Sequence, residues 1–116
     1  MTEQSQFFDA WAAAEEGMGR AVDHADRVDP GWSDEAAVVL RDYATAWARA
    51  WGDTPFMAED VRAYAEEQGF TKPPDDRAWG AVFVRARKQG VIARVGLALT
   101  QRRCSHKRPQ TAWRLA

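Results

Sequence analysis

The apolar positions along the chain fall into four helical rhythms followed by a β pattern. Phe7, Trp11, Ala14, Met18 and Val22 recur at the spacing of one helical face, with Glu15, Glu16, Asp23 and Asp26 on the remaining surface. This predicts an acidic amphipathic helix over 1–28, ended by Asp29-Pro30-Gly31. Ser33 then reads as an N-cap, Asp34 and Glu35 favour the positive end of a new helix dipole, and Ala36, Val39, Leu40, Tyr43, Trp47 and Trp51 form a buried stripe. Gly52-Asp53-Thr54-Pro55 stops that second helix. A short third helix is predicted over 58–68, with Val61 and Ala65 inward, Gly69 as a left-handed C-cap, and Phe56 and Phe70 pinning its ends to the core. Pro73 and Pro74 lead tightly into a fourth helix over 75–89, because proline breaks a helix interior but suits a helix start.

Beyond Gly90 the period changes. Val91, Ile92 and Val95 belong to one strand and Thr111, Ala112, Trp113 and Leu115 to another, separated by a polar, basic tract over 101–110. A lone hairpin is marginal in water, so this one must lie on the helices, with Trp113 as its anchor. The expected fold class is mainly α with a C-terminal β-hairpin.

Composition adds that 116 residues, 46% apolar and 28% charged, make one globular domain over 1–116, with no internal repeat. At this size about two thirds of the unfolded surface is buried on folding, so no metal or disulfide staple is required. Cys104 is the single cysteine and cannot form an internal disulfide. The start of the chain has no basic run leading into an apolar stretch, and no apolar run is long enough to span a bilayer. The expectation is a cytoplasmic protein that does not enter membranes.

Charge changes the picture more. The formal net charge of −1 is the sum of two opposites: residues 1–71 hold 5 basic against 15 acidic side chains, and residues 72–116 hold 11 against 2. No acidic residue follows Asp76, while Arg77, Arg85, Arg87, Lys88, Arg94, Arg102, Arg103, Lys107, Arg108 and Arg114 do. Such a group of cations needs an anion nearby, either the acidic half of the same chain or a nucleic acid.

The element order of helix, short helix, tight turn, helix and hairpin with a basic loop resembles the winged helix-turn-helix superfamily. The likeness covers about 33–115, with an extra N-terminal helix over 1–28, and its most specific segment is FMAEDVRAYAEEQGFTKPPDDRAWGAVFVRARKQGVI. More narrowly, PPDDRAWGAVFVRARKQGVI followed by a basic stretch with a His and a late Trp looks like small proteins of unknown function encoded by phages and prophages. The resemblance implies that the helix over 75–89 enters a groove of double-stranded DNA while the loop over 101–110 acts as the wing, in a regulatory or replication-associated role.

The residues support that expectation independently. Successive steps of about 100° put Trp79, Val82, Phe83 and Ala86 on one side of the fourth helix, and Arg77, Gly80, Ala81, Val84, Arg87 and Lys88 on the other. On an open face Ala81 and Val84 can touch thymine methyls, Arg77 or Arg87 can reach guanine O6 and N7, and Lys88 can meet phosphate. Arg85 and Arg94 extend the candidate DNA-binding set, and Arg102, Arg103, Lys107 and Arg108 supply the wing. Neutralising four to six phosphates gives a log–log salt slope of about four to five. The competing readings are that Gly80 and Ala81 admit another helix of this chain and that the loop is only a solvated turn. The nucleic-acid expectation requires these cations to form one accessible patch beside a protruding helix.

Other chemistries find less support. Cys104 and His106, with His24 far away in sequence, lack the ligand spacing of a structural zinc site. Glu59, Asp60, Glu66 and Glu67 read as a solvated helix face, and no phosphate-binding loop, nucleophile elbow or HExxH motif occurs. No metal, cofactor or catalytic residue is therefore expected, and the chain does not read as an enzyme. Trp11, Trp47, Trp51, Trp79 and Trp113 are read as core, and Trp32 as a staple at the start of the second helix rather than a base-stacking platform. The stripe of the first helix packs either on this chain's own helices or on a second copy as a homodimer. The second functional reading is a protein-interaction module that binds a host or phage protein through the winged-helix scaffold or through the acidic face of the N-terminal helix.

Overall fold

A computed structural model supplies the architecture; it describes the backbone of residues 2–99 and 109–116 and the side chains of 14–97 and 110–116. Helix α1 runs Thr2–Val28 and α2 Trp32–Trp51; a short strand β1, Phe56–Met57, precedes α3, Ala58–Glu67, and α4, Arg77–Lys88. Strands β2, Ile92–Leu99, and β3, Pro109–Leu115, complete the fold. The expectation of a mainly helical chain ending in β structure holds, but the hairpin is part of a three-stranded antiparallel sheet of order β1-β3-β2. Phe56 pairs with Trp113 and Met57 with Ala112, so β3 is the middle strand. Two residues are too few to show an alternating pattern, so the sequence marks Phe56 only as an anchor for the third helix.

The corner between α1 and α2 differs from the expected N-cap. Gly31 occupies the cap position with φ 85, a left-handed turn open to glycine, and α2 already begins at Trp32. Ser33 lies inside the helix. Its backbone N–H and its hydroxyl both donate to the Asp26 carboxylate, at 2.8 and 2.7 Å, so one of the free amides at the start of α2 is satisfied from α1. Trp32 is buried in the core, not on a surface where bases could stack: its indole N–H donates to the Thr71 carbonyl at 2.8 Å, and its ring lies 5.3 Å from Trp79 and 5.9 Å from Phe70.

Ala36, Leu40 and Ala44 line the buried side of α2. Tyr43 and Trp47 are only half-buried, and Trp51, expected in the core stripe, is 62% exposed. The reason is geometric: a row spaced by four residues turns about 40° at each step, so the row 43, 47, 51 winds out of the core. The α3 expectations hold at Val61 and Ala65, both buried, and at Gly69, with φ 74, but the solvated acidic face is reduced to Glu66 and Glu67: Glu59 is buried, and the Asp60 carboxylate accepts from the Met57 backbone N–H at 2.9 Å at the helix start. Phe56 is buried beside Tyr43, while Phe70 rests on Trp32 and Trp79.

Helix α1 packs on this chain, with Ala21 and Ala25 in the common core beside α2 and α4 and Val22 against its edge. Of the predicted stripe, Met18 and Val22 are half-buried against this chain, whereas Ala14 is exposed; the buried residues of α1, Ala21 and Ala25, lie beside that stripe. The side chains of Phe7 and Trp11, assigned to that stripe, lie outside the described residues. No helix among the described residues is long and apolar enough to cross a membrane.

Candidate nucleic-acid interface

Helix α4 begins two residues later than its sequence pattern indicated, after Asp75 and Asp76. Trp79, Val82, Phe83 and Ala86 point into the core as expected, joined by Ala78. Phe83 meets Trp113 with ring centroids 5.4 Å apart, which holds the sheet against α4. This contact seats the Arg94–Trp113 part of the β2–β3 ladder on α4; the ladder runs on to Leu99–Pro109, and residues 100–108 lie outside the described residues.

The opposite side of α4 is not the open face expected from the sequence. Gly80, Ala81 and Val84 are half-buried, because α1 lies across them. A Cβ added at Gly80 would collide with the Met18 sulfur and lie 3.2 Å from its Cγ. The small residues thus admit a helix of the same chain, and α4 is packed on two sides instead of protruding. Between the helices remains a cleft of about 390 Å³, lined by Met18, Gly19, Ala81 and Val84 with Glu15, Arg85, Lys88 and Gln89 around them.

Three of the four cations on α4 meet carboxylates. Arg85 reaches Asp34 of α2 at 2.9 Å and Lys88 reaches Glu15 of α1 at 3.6 Å, so the acidic half of the chain takes two of them. Arg77 binds Asp75 through Nε and Nη2 at 3.0 and 2.7 Å. These hydrogen bonds hold the Asp75 carboxyl below its usual range and raise the Arg77 guanidinium. All three pairs are solvent-exposed, where such contacts are worth about 0–1 kcal/mol.

Arg87, Arg94 and Arg114 are exposed and pair with no described carboxylate. They do not all share one face, so the described cations do not form the single accessible patch beside a protruding helix that the nucleic-acid expectation requires. Arg94 is opposite Trp113 and Arg114 opposite Ala93 in the β2–β3 ladder; adjacent ladder positions point to opposite faces, so these two arginines flank the sheet. Arg102, Arg103, Lys107 and Arg108, together with Cys104 and His106, lie outside the described residues. Among the described residues no group of three or more His, Cys, Asp or Glu could hold a metal ion. No known family, curated protein or solved structure matches the chain.

The side chains missed by sequence reasoning are those that close the α4 face: Glu15, Met18 and Asp34. One signal was present, the pairing of a bulky Met18 with a Gly80-Ala81 step that leaves room for it. Nothing in either segment alone connects them across more than sixty intervening positions.

Proposed function

We propose that the chain is a non-enzymatic winged-helix protein that binds double-stranded DNA through α4 and the 101–110 loop. The observation that carries this reading is the Phe83–Trp113 contact. It packs the β2–β3 pair, whose strands lead into the basic 101–110 segment, on α4, which supports reading α4 and that segment as recognition helix and wing. The segregation of charge adds to it, since residues 72–116 carry 11 basic and 2 acidic side chains. Arg87 and Lys88 at the C-terminal end of α4, with Arg94 nearby in sequence on β2, are the exposed partners for phosphate, alongside Arg102, Arg103, Lys107 and Arg108. Ala81 and Val84 lie under α1, so the form described here favours backbone binding over base reading. The resemblance to small phage and prophage proteins is in keeping with a regulatory or replication-associated role.

The test is the affinity for a short labelled duplex, measured by fluorescence anisotropy, after Arg102, Arg103, Lys107 and Arg108 are all replaced by alanine. Binding should weaken by at least about tenfold at constant moderate salt. Equal affinity removes the wing from the reading. A second reading, a protein-interaction module, is favoured by Trp51, an exposed aromatic residue at the end of a row of packed rings on the acidic side of the chain. A partner protein whose binding survives nuclease treatment and depends on Trp51 would favour it.

A further inference from the structure

We propose that the segment of α1 from Ala14 to Gly19 is a detachable acidic cover over the nucleic-acid face of α4, competing intramolecularly with the DNA. The inference rests on the DNA-binding reading and adds its regulation. The cover sits where base contacts would form: Met18 fills the notch at Gly80, Ala81 and Val84 are half-buried beside it, and Glu15 takes Lys88. The carboxylate therefore occupies the position of a phosphate partner.

The polar contacts that hold this segment are weak compared with those at the C-terminal end of α1. The Glu15–Lys88 pair spans 3.6 Å with the lysine side chain 72% exposed, and an open cleft of about 390 Å³ runs along the α1–α4 seam beside the Met18–Gly80 contact. Further along, Ala21 and Ala25 are buried and Asp26 makes two hydrogen bonds to Ser33, so the C-terminal part of α1 is fastened to the core. Gly17 and Gly19 lie at the junction. Arg77 approaches the Gly17 position to 3.1 Å, but a Cβ at Gly19 would meet nothing within 4 Å. Gly19 thus lowers helix stability with no close approach to require it. A polyanion arriving at Lys88 and Arg87 repels Glu15 and Glu16, and the helix has its weakest point where it must yield.

The experiment locks the cover on the full chain. In a Cys104→Ser background, Met18→Cys and Gly80→Cys are joined by oxidation, and duplex affinity is measured by anisotropy before and after reduction. The locked form should bind at least about tenfold more weakly and recover when reduced. Equal affinity in both redox states overturns the cover while leaving DNA binding in place. Absence of duplex binding by the unsubstituted chain overturns the DNA-binding reading, and the cover with it. Gly19→Ala, whose added methyl enters open space, tests the same idea without a crosslink. Strengthening the helix should weaken duplex binding by up to about fivefold, and unchanged or tighter binding contradicts the proposal.

Discussion

Tyr43 stands where the core of α2 opens to the surface, between Phe56 at 5.3 Å, Tyr64 at 5.4 Å and Trp47 at 5.8 Å. Burial, followed by the charge of Asp60, pushes its hydroxyl up to about 12. An unfolded tyrosine ionises near pH 10, so above that value the proton is lost more readily from the unfolded chain. Tyr43 therefore contributes stability that is fully present below about pH 10 and is lost as pH rises through about 12. Urea midpoints measured between these values should fall steeply for the native chain and less steeply for Tyr43→Phe. Parallel slopes would show that Tyr43 ionises alike in both states. The Asp26–Ser33 contact also operates at the scale of single groups. It was illegible in the sequence because a serine after a Pro-Gly turn has the same signature whether it caps its own helix or binds the preceding one.

At the scale of elements, the aromatic row of α2 separates residues that look alike in sequence. Phe56 is buried under Tyr43 and Trp47, and Phe56→Ala should cost about 3–5 kcal/mol in chemical unfolding. Trp51 is exposed, and Trp51→Ala should change stability by less than about 0.5 kcal/mol. Similar losses for both would contradict the winding of the row out of the core. Helix periodicity, the left-handed glycine after α3 and the inward side of α4 were all legible because each is set by residues within a few turns. The strand β1 was not, since two residues carry no period and acquire their strand character only by pairing with β3. The α1–α4 packing was half legible: Gly80 and Ala81 showed that something approaches closely, but not whether it was a groove of DNA or a helix of the same chain.

For the molecule as a whole, the opposed charges of the two halves determine how many cations are available to a partner. Arg85 and Lys88 already meet Asp34 and Glu15, so a duplex that binds without displacing them gains no counterion release from these two side chains. Arg87 and Arg94 then add to the four cations of the 101–110 loop, and the log–log dependence of affinity on salt should have a slope of about five. For a duplex that leaves Glu15 in place, Glu15→Gln frees Lys88 to neutralise one more phosphate and should steepen the slope by about 0.9; for one that displaces the cover, the slope should stay the same and binding at low salt should tighten. If the slope and the affinity both stay at their native values, Lys88 lies outside the bound surface, and the DNA contacts must be confined to the wing.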